Sequence, residues 1–199
     1  MKVIGVTGGI ASGKSSVCRL LARRPKTMLI DADQLARDVV KPGTVGLKNI
    51  CRTFGSEMMK KDGSLDRQLL GEQIFKDAQA RERLNQIVHP LVEQAFLSEK
   101  KKAQEKGIEY LIYDCPLLID IGYHEKVDVV ILVVADEHER VERLKSRNGL
   151  SEKQAKDRMK SQLSDAFKKS RADMVVYNDG SERDLTESLD CIWQGITSF

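Results

Sequence analysis

The sequence predicts an α/β protein built on a five-stranded parallel sheet, and three features predict it. Short apolar, β-branched runs recur at 3–7, 28–30, 110–113, 127–134 and 174–176. Helical patterns fill the stretches between them, and strands that alternate with helices make a parallel sheet. The fourth run, VDVVILVV, is apolar at almost every position, as a strand covered on both faces should be.

In chain order, the first run is followed by GGIASGKS and then by Val17, Leu20 and Leu21, the apolar face of a first helix. The second run ends in IDADQLAR. From about Leu35 to Lys106 the pattern is helical for too long to be a simple crossover and reads as an inserted helical subdomain. Within it, Leu91, Val92, Ala95 and Phe96 form one face of a helix expected to begin at Pro90 and to be capped by Gly107. The Lys100-Lys101-Lys102 run is a solvated helix end. A second helical excursion, 137–171, separates the last two strands, and Asn148-Gly149 divides it. Leu185, Leu189, Ile192, Trp193 and Ile196 follow helical spacing, so Trp193 is read as core packing rather than a ligand platform. The expected organisation is one domain, with a core of 1–34, 108–136 and 172–199, a helical subdomain at 35–107 and a lid at 137–171.

The 199 residues, 41% apolar and 32% charged, suit one folded core with an insertion, and not a disordered chain. No apolar run reaches the roughly 20 residues of a membrane helix, and the immediate entry into a strand leaves no room for a signal peptide. Cys18, Cys51, Cys115 and Cys191 are scattered, with no CxxC pair, which favours a reducing cytoplasm over a disulfide framework or zinc site. Cys18 and Cys115 sit in apolar surroundings as small buried hydrophobes. Between Arg140 and Arg171 eleven basic residues face four acidic ones, a local +7 that leaves −4 for the rest of a chain of net charge +3. Such a block is either a solvated helical face or a nucleic-acid patch. The scarcity of aromatics weakens a single-strand stacking surface, and no nucleic-acid partner is expected.

Gly8 to Ser15 satisfies G-x-x-x-x-G-K-[ST], with the strand before and the helix after that give the motif meaning. Glycines let backbone N–H groups approach phosphate oxygens, and the helix N-terminus adds positive potential. Gly8, Gly9, Ala11, Ser12 and Gly13, with Lys14, Ser15 and Ser16 at the helix entry, are the predicted ATP contacts. Lys14 reaches the β- and γ-phosphates, and the Ser15 hydroxyl is a ligand for Mg²⁺.

Asp31 and Asp33 end the second strand, at the sheet edge where α/β proteins bind ligands. Either could accept a hydroxyl proton during phosphoryl transfer, and either could instead cap the helix that follows. Asp114, at the end of the third strand in YDCPLL, fits a residue holding the Mg²⁺ water shell or a loop-initiating aspartate. Arg140, Arg143 and Arg147, at i, i+3 and i+7, share one helical face from which arginines could clamp a moving phosphoryl group.

With these residues in view, the chain resembles the dephospho-coenzyme A kinase family from residue 3 to about 180. The resemblance is carried by the phosphate loop, IDADQLAR at 30–37, KPG at 41–43, DGSLDRQLL at 62–70 and LNQIVHP at 84–90. PLL at 116–118, RLKSR at 143–147, Gln162 and ADMVVYNDG at 172–180 complete it. It implies a P-loop kinase-type three-layer fold and transfer of the ATP γ-phosphoryl group to the ribose 3′-hydroxyl of dephospho-coenzyme A, in a cytoplasmic monomer. It implies Asp33 as general base, the helical subdomain as acceptor site with Arg37, Arg67 and His89, and 137–171 as lid. His89 is equally readable as a structural histidine at a helix boundary. The chain departs from the family's habit at Arg140, often Gln, at Ile119-Asp120, often Phe-Glu, and at Tyr177, often Asp. Its ARRPK turn is also unusually basic. Two other readings share the loop: a kinase for a nucleoside monophosphate or a sugar-like alcohol, and a nucleotide switch. The switch is disfavoured because the guanine-reading N-K-x-D is lacking.

Overall fold

Strands β1 (Lys2–Gly8), β2 (Thr27–Asp31), β3 (Tyr110–Asp114), β4 (Val129–Val134) and β5 (Met174–Tyr177) form one sheet in the order β2-β3-β1-β4-β5. The computed structural model describes residues 1–198. The β1–β3, β1–β4 and β4–β5 pairs are parallel, with Val6 opposite Asp114, Gly8 opposite Val133 and Val134 opposite Tyr177. The strand that ends in the phosphate loop is thus central, and the ends of β3, β4 and β5 flank it on one edge.

The chain divides into two compact units, 1–30 with 103–199, and 31–102. In the first, alternate residues of the strands (Ile4, Val6, Ile112, Ile131, Val133, Val176) meet helix α1 (Lys14–Ala22) and the C-terminal helix α9 (Glu182–Thr197) through Val17, Cys18, Leu21, Leu185, Leu189 and Ile196. Each such aliphatic side chain adds about 1.5–3 kcal/mol when fully buried. Trp193 packs on this cluster, its ring edge-on to Tyr110 at 4.7 Å, in the core role its spacing predicts. On the other face of β1, Gly5 leaves a notch for Leu118; a Cβ there would lie 2.6 Å from a Leu118 methyl carbon. Thr7 Oγ1 donates to the Pro116 carbonyl at 3.0 Å, so β1 also seats the loop that follows Asp114.

The second unit is helical: α2 (Ala32–Asp38), α3 (Val45–Phe54), α4 (Arg67–Lys76) and most of α5 (Ala78–Glu105). Val40, Leu47, Ile50, Phe54, Met58, Leu65, Leu70 and Ala80 form its own core. Thr44 and Asp66 cap α3 and α4 by accepting backbone N–H groups of the first turn. The helix expected to begin at Pro90 instead begins at Ala78 and runs through Pro90 for 28 residues. Proline removes one N–H from the ladder, but the apolar positions on both sides, Leu84, Ile87 and Val88 before it and Phe96 after it, keep one helix packed. His89 therefore lies exposed in mid-helix, and the boundary role for it is corrected.

The remaining helices are α6 (Glu137–Asn148), α7 (Glu152–Lys160) and α8 (Asp165–Lys169). Gly149 ends α6, as Asn148-Gly149 predicts, and a Ser151–Gln154 capping box starts α7. Their shared core of Val141, Leu144 and Ala155 receives Ile10 and Ala11 of the phosphate loop. No described helix is long and apolar enough to cross a membrane.

Candidate active site

The loop from Gly8 to Ser15 links β1 directly to α1. Gly13 caps α1 at φ 89°, a left-handed conformation, and supplies no side-chain cap to the helix. The positive end of the helix is left to an anion. A Cβ on Gly13 would also collide with the Asn178 amide, and one on Gly9 would fall on the Arg140 guanidinium. At Gly13 backbone conformation and neighbour both favour glycine, and at Gly9 the neighbour alone does.

Three successive loop carbonyls are held from outside. Arg140 Nε donates to Ile10 O at 2.9 Å, Arg143 Nη1 to Ala11 O at 3.2 Å, and Asn178 Nδ2 to Ser12 O at 2.8 Å. Arg143 Nη2 also donates to Asn178 O at 2.9 Å, which joins α6 to the end of β5. The buried Ser12 hydroxyl has no hydrogen-bond partner among the described residues, as in a loop shaped around a ligand.

Lys14 makes an ion pair with Asp114, which is 7% exposed at the end of β3. The register that sets Val6 opposite Asp114 puts this carboxylate beside the root of the loop. Ser15 is exposed in the first turn of α1. A buried carboxylate and a hydroxyl are hard oxygen donors of the kind Mg²⁺ takes.

At the end of β2 the chain turns at once into α2, and the two aspartates part. Asp31 is the N-cap, accepting from Asp33 N at 2.8 Å and Gln34 N at 3.2 Å, while Asp33 stands in the first helical turn. The same unit brings Arg67, the first residue of α4, to the end of α2, where its guanidinium donates to Arg37 O at 3.4 Å. His89 is exposed on α5.

The three arginines of α6 go to different places. Arg140 is buried, with Nη1 donating to Asp165 at 3.0 Å as well as Nε to the loop. Arg143 is half-buried and lines a cavity of about 470 Å³ with Gly13, Arg19, Leu20, Asn178 and Leu185. Arg147 is exposed, its Nε donating to Asn148 Oδ1. Helical spacing puts them on one face but does not distinguish a guanidinium consumed inside the fold from one left at the surface. Gln162, Asp165 and Asn178 had no predicted roles. Their contacts with the loop or with Arg140 span up to 166 positions, and only the quoted Gln162 and Asn178 carried any signal, through the resemblance.

A phosphate loop at the end of a central parallel strand, with its lysine paired to an acid at the end of the neighbouring strand, defines a P-loop kinase-type enzyme. The dephospho-CoA kinase family model matches residues 2–184. The dephospho-CoA kinase of Frankia casuarinae is 43% identical over 196 residues, which cover 98% of this chain and 84% of that one. The Thermus thermophilus protein TT1252 superposes with a TM-score of 0.82 at 31% identity, covering 98% of each chain. The dephospho-CoA kinase from Campylobacter jejuni does so at 0.73 and 26% identity, covering 100% of this chain and 98% of its own. The chain belongs to the dephospho-CoA kinase family, whose reaction is ATP-dependent phosphorylation of the 3′-hydroxyl of dephospho-CoA, the last step of coenzyme A biosynthesis.

Proposed function

We propose that, in the reaction of this family, Asp33 is the general base and the phosphate loop grips the triphosphate. Asp33 accepts the proton of the ribose 3′-hydroxyl as that oxygen attacks the γ-phosphorus and the bond to the β-phosphate bridge breaks, leaving ADP. The observation that supports this assignment is the position of Asp33 in the first turn of α2, directly after the end of β2 at the sheet edge, with Asp31 serving as the cap. An alcohol needs such a base, whereas a nucleoside monophosphate offers a nucleophile that is already ionised.

Lys14 and the α1 N-terminus bind the β- and γ-phosphates, with Gly8, Gly9, Ala11, Ser12, Gly13, Ser15 and Ser16 forming the rest of the cradle. Ser15 and Asp114 would hold Mg²⁺, which supplies charge neutralisation between the phosphates. The cavity beside Arg143 and Asn178 is suited in size to the base and sugar of ATP. Arg143 and Arg147 supply positive charge from α6, within a lid of α6 to α8. The helical unit takes the acceptor, with Arg37 and Arg67 at the α2–α4 junction and His89 on α5. We assign the protein to the cytoplasm as a monomer, in keeping with its scattered cysteines.

The test is Asp33→Asn, assayed with Mg-ATP and dephospho-CoA by ADP release. Turnover falls ~10²–10⁴-fold while ATP binding persists. Turnover within a few-fold of the parent chain would remove the base from residue 33 and favour an acceptor that needs none.

A further inference from the structure

Both backbone polar groups of Ile10 are held, the N–H from the segment that follows α7 and the carbonyl from α6. Its N–H donates to Gln162 Oε1 at 2.8 Å, and its carbonyl accepts from Arg140 Nε at 2.9 Å. Arg140 is 6% exposed, and Asp165 Oδ2 lies 3.0 Å from Nη1. The same guanidinium lies against the α-carbon of Gly9. A guanidinium is planar, so fixing one edge on a carboxylate fixes where the Nε–H points. Asp165 is therefore placed to aim Arg140 at the loop and to compensate a buried charge that would otherwise seek another anion.

Asp165 is itself anchored. It opens α8, whose N-cap Ser164 accepts from Phe167 N at 3.2 Å. Three residues on, Lys168 is fully buried with its Nζ 3.7 Å from Asp120, in the loop that follows Asp114. Segment 162–168 thus braces the phosphate loop on one side and borders the loop after Asp114 on the other.

We infer that Gln162 and Asp165 are positioning residues of the phosphate loop, Gln162 directly and Asp165 through Arg140. They fix the two peptide groups that flank the Ile10 α-carbon, and with them the backbone of the loop around it, without touching a phosphate. Arg140 works on the triphosphate by shaping its cradle rather than as a clamp on the moving group. The consequence for turnover rests on the proposed grip of ATP by this loop; the geometry of the peptide does not.

The test combines amide hydrogen exchange with Mg-ATP binding measured by calorimetry. In Gln162→Met, exchange at Ile10 accelerates at least ~10-fold, since its acceptor is gone, while Ile4 and Val6 in β1 keep their protection. Affinity for Mg-ATP weakens ~5–10-fold in Gln162→Met and in Asp165→Asn, and ~10–100-fold in Arg140→Gln. The double variant Arg140→Gln/Asp165→Asn binds no worse than Arg140→Gln alone, within 2-fold, because the carboxylate acts through the guanidinium. A residue needed only for folding of α8 would make the two losses multiply. Unchanged Ile10 exchange in Gln162→Met, or multiplying losses in the double variant, overturns the inference. If the parent chain does not bind Mg-ATP, the ATP reading fails, and the exchange result alone decides this one. If Arg140→Gln does not fold, Gln162→Met carries the decision through Ile10 exchange and Asp165→Asn through its Mg-ATP affinity, which unchanged from the parent would overturn the role of Asp165.

Discussion

Replacing Gly13 by alanine tests how the phosphate loop is locked. Two costs can be read from the structure. An L-residue held at φ 89° pays about 1–2 kcal/mol of left-handed strain. The new Cβ also displaces the Asn178 amide, which now donates to Ser12 O at 2.8 Å, and loss of that bond costs about 1 kcal/mol. The sum is about 2–3 kcal/mol, or a fall in Tm of roughly 4–12 °C for a chain of this size. The informative comparison is made in the background Asn178→Ala. There the collision is relieved and the hydrogen bond is already lost, so Gly13→Ala should cost only the strain, about 1–2 kcal/mol. Urea denaturation of the four proteins, followed by far-UV circular dichroism, gives both values. An equal cost of Gly13→Ala in the two backgrounds would refute the argument that Asn178 and Gly13 share one space.

Leu144→Ala, in the fully buried centre of the α6–α7 core, destabilises by about 2–5 kcal/mol in denaturant melts. Because Ile10 and Ala11 rest on that core, the same variant also weakens Mg-ATP binding measured by calorimetry. Asp31→Ala removes the α2 cap and lowers stability by about 0.5–2 kcal/mol, with Asp31→Asn close to the parent. Lys14→Ala lowers ADP release at least ~10²-fold while the circular dichroism spectrum is retained.

The strand, loop and first helix were legible because a local motif specifies them: the glycines, the lysine and the apolar run of α1 are all near neighbours in the chain. The same holds for the Asn148-Gly149 stop and the helical face that buries Trp193. What was not legible depends on neighbours distant in sequence. Spacing puts Arg140, Arg143 and Arg147 on one helix face, yet Asp165 and the Ile10 carbonyl decide that Arg140 is consumed inside. Pro90 reads as a helix start, but apolar positions on both sides of it hold one continuous helix. Asp31 and Asp33 were interchangeable as letters, and only the abrupt turn after β2 makes one a cap.

The central place of β1 bears on how the enzyme comes apart. Hydrogen bonded to β3 on one side and β4 on the other, β1 can shed solvent-protected amides only after a neighbour has peeled away, whereas β2 and β5 have an open flank. Partial opening of this sheet starts at its margins, so β1 keeps its hydrogen bonds while the outer strands fray and loses them only with the global transition.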